Sequence, residues 1–572
     1  MEYLRQKRLV NIFFLFLLCM LGLAGRFWYL QIEQGAMYAN LALEQTSSWV
    51  PLEETARGDI LDRNLRPLTG TKEENRVIIF PSAVVEREDV ARDLAAILEI
   101  DPVLAASYFQ GDAVTLPYKL TAAQVATINN KAWTGVIVMP VRCRYQEHQP
   151  AAQIIGHLGK ISSWQEFSEL TAQTEKQYRF SDLVGKAGLE KYYEEVLKGS
   201  WPEKSVRVFA DARGNLLGGP DFVVEQAAAG TDSKNLVLTI DIRIQEIVEK
   251  VMDNQVKKGA VVVMEAGSGE ILAMAGRPSF DPSFSGEDDL SSGDSIYFDH
   301  CTALYQPGSV FKIAVAAAAL EEGLVDLNTV FSCTGEKDRL VPCWNKAGHG
   351  KITFEQAFAH SCNPVFARLG MELGAAKMIE YTRLLGLDNQ FIVGYPVPVD
   401  ARQDLKKLAE PFNLAGCSVG QGPLLVTPVQ IAAMTNTLLT GGLYQAPSLV
   451  KEIRDNSGNS EQLGKPEAVR ALSPGTAQAL RSLLEEATRY GTGQAAMLTP
   501  WGSAGKTGSA QLVNDGELVN AWFTGYAPLS QPRYVVTVLV ENGESGSVSA
   551  APVFKEIMEH ILQLPTDAAG VH

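Results

Sequence analysis

The longest apolar stretch in the chain is LVNIFFLFLLCMLGLAG, residues 9–25, which holds no charged residue. A helix of that length, rising about 1.5 Å per residue, nearly crosses the hydrocarbon core of a bilayer. FWYL beyond Arg26 extends it to residue 30 and adds interfacial aromatics. Arg5, Lys7 and Arg8 flank it on the other side, which predicts a cytoplasmic segment 1–8, a transmembrane anchor 9–30 and an extracytoplasmic remainder. A cleavable signal peptide ending near the small pair Gly22 and Ala24 is the alternative; the charged and aromatic RFWYLQIEQ that follows favours an anchor. No later apolar run approaches this length.

Further along, the patterns are shorter. VIIFPSAVV reads as a strand and VEREDVARDLAAILEI as a helix. AGTDSKNL, 229–236, reads as a linker. DIRIQEIVEKVMDNQVKK then places apolar residues at 242, 244, 247, 248 and 251, one face of a helix. GAVVVMEAGSGEILAMAG is two apolar runs around a turn, a hairpin signal. Helical patterns dominate 308–390 and 427–440, strand patterns return at 521–528 and 534–543, and APVFKEIMEHILQL closes as a helix. This order predicts an α+β domain whose sheet is built from both ends of its segment, with the terminal helix packed on it. There is no internal repeat.

The 572 residues are 46% hydrophobic and 20% charged, too apolar for a disordered chain. The net charge of −16 argues against a nucleic-acid partner. Of seven cysteines, Cys19 lies in the anchor. Cys333 and Cys343 bracket a short polar loop that a disulfide would close in an oxidising space; buried free thiols are the alternative. No Cys/His group has metal-ligand spacing, so no metal is expected.

The chemistry starts at YQPGSVFK, 305–312. Ser309 and Lys312 share one face at the start of an alanine-rich helix. The helix N-terminus favours an alkoxide and disfavours a protonated lysine, and burial would lower the lysine pKa further, so Lys312 reads as the base of a serine nucleophile. An N-capping serine with a solvated lysine is the bland alternative. Ser361 and Asn363 in HSCNP, and Lys506, Thr507, Gly508 and Ser509 in AGKTGSA, weigh against it. S-x-x-K, S-x-N and K-T-G in this order form the signature of penicillin-binding proteins and class A β-lactamases. Ser361 can pass a proton, Asn363 can hold substrate and lysine, and Lys506 with Thr507 can take a carboxylate. Gly508 leaves room for a substrate backbone.

The chain therefore resembles the class B penicillin-binding proteins. RGDILDRN (57–64), Arg142, Arg144 and Tyr145, VGKAGLEKYYEEVLKG (184–199), SVGQGPLLVTPVQIAAM (418–434) and AWFTGYAP carry the likeness through nearly the whole sequence. Asn520 stands where members often have histidine. The resemblance implies a pedestal or dimerisation-like module over 31–231, a transpeptidase domain over 232–565 with an antiparallel sheet, flanking helices and a helical subdomain, and a short tail 566–572. It implies peptidoglycan D,D-transpeptidation: Ser309 is acylated by a stem peptide, terminal D-alanine leaves, and a neighbouring amine forms the crosslink. Lys312 is then the base, Ser361 the proton shuttle and Asn363 a positioning group. Lys506 and Thr507 bind the carboxylate, and the N–H groups of Ser309 and Ser509 form the oxyanion hole. The partners implied are stem peptides, the cytoplasmic membrane, a membrane glycosyltransferase and division or elongation proteins, with β-lactams as inhibitors and no cofactor. No E-x-x-L-N segment for a β-lactamase base is present, and none of the seven histidines sits in a triad context. Trp344 and His349 are expected to shape a loop near the cleft.

Overall fold

The computed structural model describes residues 2–34, 47–180, 182–200, 202, 204–209, 222–226, 232–283, 297–397, 403, 405–410, 412–512 and 515–565. Residues 229–231 of the expected linker and the tail 566–572 lie outside them. The apolar run forms helix α1 (Glu2–Trp28), continued by one π-helical turn over Tyr29–Glu33. Among the described residues, Arg8–Glu33 is the one helical stretch long and apolar enough to cross a membrane.

The chain divides into two compact units that are not contiguous in sequence. The first comprises Met1–Ala56, Lys72–Arg144 and Trp201–Thr231. Its strand Lys72–Ile79 pairs antiparallel with Val136–Cys143 and with Val114–Thr115. The expected strand over VIIFPSAVV stops at Ile79, because Pro81 has no N–H to continue the ladder and opens a 3-10 turn, Pro81–Ala83. Helix Arg87–Leu98 lays Val90, Ala91 and Leu94 on a core with Val77, Ile79, Phe109 and Ile128.

The second unit joins Arg57–Thr71 and Tyr145–Ser200 to Asp232–His572. Five strands, β1 (Gly259–Glu265), β2 (Ile271–Arg277), β3 (Ala504–Leu512), β4 (Asp515–Ala527) and β5 (Tyr534–Gly543), form one antiparallel sheet in the order β2-β1-β5-β4-β3. The strands thus come from both ends of the segment, and β3 is an edge. Alternate residues feed two cores. Val261, Val263, Phe523, Val536 and Val538 pack with helix α2 (Ile242–Gln255) and the terminal helix (Ala551–Leu562). Ala260, Val262, Met264, Trp522 and Leu539 face the larger core. That core also holds helices α3 (Lys312–Glu321), α4 (Asn363–Leu384, interrupted at Gly374) and α5 (Pro428–Leu439). Between α3 and α4 the helical pattern fails: two short strands, Val330–Cys333 and Gly350–Thr353, bracket a loop rich in glycine and polar residues.

Candidate active site

Ser309 sits in a 3-10 turn, Gly308–Phe311, that runs directly into α3 at Lys312. The turn is clamped from two sides. Gly308 has φ +53°, and a Cβ there would meet the backbone of Ser509 and Ala510 in β3 at 2.8–2.9 Å. Its N–H donates to Gly420 O at 2.9 Å, and a Cβ on Gly420 would lie 1.8 Å from Gly308 O. The indole N–H of Trp522 holds Gln306 O at 3.0 Å.

Lys312 is fully buried. Its Nζ lies 2.8 Å from Ser361 O, 3.1 Å from Ser361 Oγ and 2.7 Å from Asn363 Oδ1. Burial pulls its pKa down to about 7, against a smaller upward pull from Cys362 and Cys343. Ser361 reaches it from an unusual backbone. Helix Phe354–Ala359 ends with Ser361 N–H on Phe358 O and Cys362 N–H on Ala357 O, which leaves Ser361 at φ +54°. This is a Schellman-type cap with serine where glycine is preferred. Pro364 then opens α4, so two helix ends converge on the serine and asparagine.

Opposite lies the edge strand β3. Thr507 shares a hydroxyl hydrogen bond with Thr492 at 2.6 Å. Ser509 Oγ accepts Gly546 N–H at 3.0 Å, and Ser509 O accepts from Gln421 Nε2 at 3.3 Å. Lys506 is fully buried; its Nζ donates to Thr507 O at 3.1 Å and lies over the Phe358 ring. Burial first, and the charge of Lys312 second, push its pKa well below the usual lysine range. Gly508 is crowded from behind: a Cβ would meet Pro307 O at 2.9 Å and Val310 at 3.1 Å, so the glycine lets β3 lie against the serine turn. Ser309, Ser361, Asn363, Thr507, Gly508 and Ser509 line one cleft of about 750 Å³, with Lys312 and Lys506 buried beside it. Thr492, Gln421 and Trp344 line it as well. Sequence reasoning missed Thr492 and Gln421 as site residues, since neither belongs to a motif with its own chemistry.

Cys333 and Cys343 carry free thiols. With His349 and Cys362 they form a cluster whose ligating atoms lie within 4.8 Å of one another. The sequence shows no Cys/His group with metal-ligand spacing, and the expectation of no metal drawn from it does not foresee this cluster. Folding back the 333–349 loop joins donors too irregularly spaced to show a motif, and three thiols with one imidazole are a donor set that could hold a tetrahedral soft metal ion. Cys362, inside S-x-N, lowers the Cys343 pKa through its thiol hydrogen bond.

Family comparison agrees with this geometry. Residues 259–559 match the penicillin-binding protein transpeptidase domain and residues 52–234 the penicillin-binding protein dimerisation domain. The chain belongs to the class B penicillin-binding proteins. It is 31% identical to the stage V sporulation protein D of Bacillus subtilis, over 97% of this chain and 85% of that one. It is 26% identical to the peptidoglycan D,D-transpeptidase MrdA of Acinetobacter baumannii, over 98% and 88%. A chain of a solved peptidoglycan synthase complex that coordinates polymerization and crosslinking shares the fold with a TM-score of 0.70 at 24% identity, covering 98% of this chain and 100% of its own. The class B match at 52–234 contributes residues to both compact units.

Proposed function

We propose that Ser309 is the nucleophile of peptidoglycan D,D-transpeptidation, the chemistry of this family. The observation that carries the reading is the fully buried Lys312 with its Nζ on Ser361 and Asn363 beside the cleft that Ser309 lines. Lys312 takes the Ser309 proton and Ser309 Oγ attacks the penultimate D-alanine carbonyl. Ser361 passes the proton to the leaving D-alanine amine. Asn363 holds the donor amide; Lys506 and Thr507 recognise the terminal carboxylate. Ser509 turns its carbonyl out of the sheet toward Gln421, and in a strand the N–H of the same residue points the same way. That supports an oxyanion hole made from the N–H groups of Ser309 and Ser509. As an edge strand, β3 also offers a substrate backbone a place to pair. A neighbouring stem-peptide amine completes the crosslink, and β-lactams, whose ring C–N bond Ser309 Oγ opens, trap Ser309 as an ester.

Along the sequence the organisation is a cytoplasmic segment 1–8, a single anchor at 9–30, a class B module over 31–231 and an extracytoplasmic transpeptidase domain over 232–565, with 57–71 and 145–200 of the module folding into the same compact unit as the transpeptidase domain. A membrane glycosyltransferase and division or elongation proteins are the proposed partners.

The test is intact-protein mass spectrometry after incubation with penicillin, beside Ser309→Ala. A long-lived adduct on the parent and none on the variant is expected. Rapid turnover of penicillin would replace the reading with a β-lactamase, and an unmodified parent would remove it.

A further inference from the structure

We propose that Trp344 is a specificity-determining residue for the acceptor chain, the wall over which the alkyl stem of the incoming amine lies. The inference rests on the transpeptidase reading above.

Trp344 is 58% exposed, although large aromatic rings usually gain most from burial. It is nevertheless fixed. Its indole N–H donates to His360 O at 2.9 Å, and its ring meets the edge of His349 with centroids 5.6 Å apart. On one side of it Cys343 is buried in the thiol cluster; one residue earlier, Pro342 O accepts from Asn363 Nδ2 at 3.2 Å. The ring is thus held in one orientation while its surface stays open to the cleft, the preorganised aromatic anchor that binding sites favour.

Its position assigns the ligand. The carbonyl that holds the indole belongs to His360, the residue before Ser361. In the first half-reaction the departing amine takes its proton at Ser361. In the second, the acceptor nitrogen attacks the ester carbonyl, the bond from carbonyl carbon to Ser309 Oγ breaks, and the amine proton passes through Ser361 to Ser309 Oγ. By microscopic reversibility the incoming amine occupies the place the first one left. An acceptor whose amine ends an aliphatic chain therefore brings its methylenes alongside Ser361, where Val341, Pro342 and Trp344 supply apolar lining. Around Gln511 the lining is mostly polar, with Ser545 and Ser547, and its apolar contribution is Val519 alone, with no aromatic ring.

The experiment uses the full chain with Trp344→Ala and Trp344→Phe, a D-Ala-D-Ala stem-peptide donor and two acceptors: a stem peptide with a free side-chain amine, and D-alanine, which has no alkyl stem. The expected result in W344A is a KM for the amine-bearing peptide raised about tenfold relative to that for D-alanine, with recovery of the ratio in W344F. An unchanged ratio in W344A would overturn the proposal. So would a parallel loss of acylation, exchange and acceptor use, which would mark a structural role. Failure of the parent to acylate would instead bring down the transpeptidase reading.

Discussion

Lys312 in its neutral form has two N–H bonds to give and one lone pair to fill. Its surroundings match that count. Ser361 O and Asn363 Oδ1 can only accept, whereas Ser361 Oγ can donate. A neutral Lys312 can therefore give its two N–H bonds to Ser361 O and Asn363 Oδ1 and keep its lone pair on the Ser361 Oγ side, where the Ser309 proton reaches it with the Ser361 hydroxyl as relay. The protonated form must sit buried beside Lys506 with no carboxylate among its contacts. With its pKa near 7, the base is silenced below that pH, so the rate of Ser309 acylation by penicillin should climb through about pH 7 and level above it. Stopped-flow acylation across that range checks this; a flat profile would exclude Lys312 as the titrating base. The sign for stability is the same. Between about 7 and the ordinary lysine value of 10.5 the unfolded chain binds the extra proton, so this group's contribution to stability rises with pH. The other strained point is Ser361, held at φ +54° for its hydroxyl where glycine would cost less.

At the scale of elements, what was legible in sequence is what has a period or a motif. Helix α2, the β1–β2 hairpin, β5 and the terminal helix announce themselves by alternation or by a 3.6-residue face. The three motifs do the same for Ser309, Ser361 and Lys506. The loop between α3 and α4 has neither: Trp344 and His349 could be placed near the cleft, but the cysteine cluster and the bond that pins Trp344 to His360 O appear only once 333, 343, 349 and 362 are folded together. The clamp on the serine turn was equally hidden, because Gly308, Gly420 and Gly508 act across long sequence distances. That clamp predicts an outcome. In Gly420→Ala the new Cβ would lie 1.8 Å from Gly308 O, and Gly420 has φ +78°. Relief requires the 417–421 turn to move off Gly308, breaking the Gly308 N–H to Gly420 O bond. The loss should be about 2–3 kcal/mol, on the scale of overpacked sites. Thermal unfolding should show a lowered Tm, with penicillin acylation slowed because the displaced partner is the serine turn itself. A variant with parental Tm and parental acylation would mean that the clamp is slack.

For the whole molecule, the informative fact is that the unit holding the active site is not one stretch of chain. Strand Ile60–Leu61 pairs parallel with Asn235–Leu238, and Gly58 packs so closely on Lys234 that a Cβ would fall 2.0 Å from its carbonyl oxygen. Arg57, whose side chain is fully buried, donates to Glu190 at 2.9 Å and Glu194 at 2.8 Å. Removing one partner from such a network leaves a buried charge uncompensated, a strongly unfavourable state. Ile60, Leu68, Ile154, Ile155, Leu189 and Leu197 belong to the same apolar core as Leu236, Ile240, Val310 and Phe311. The RGDILDRN segment is thus a structural tie within the catalytic unit, a role its sequence likeness did not disclose. A fragment beginning at Asp232 contains every motif residue but lacks 57–71 and 145–200, and it would expose the apolar surface those segments cover. Compared with a chain beginning at residue 47, such a fragment should bind a hydrophobic dye, unfold at lower temperature and lose penicillin acylation on mild warming. If it unfolded at the same temperature and acylated at the same rate, the tie would be dispensable, and residues 232–565 would suffice as a catalytic domain.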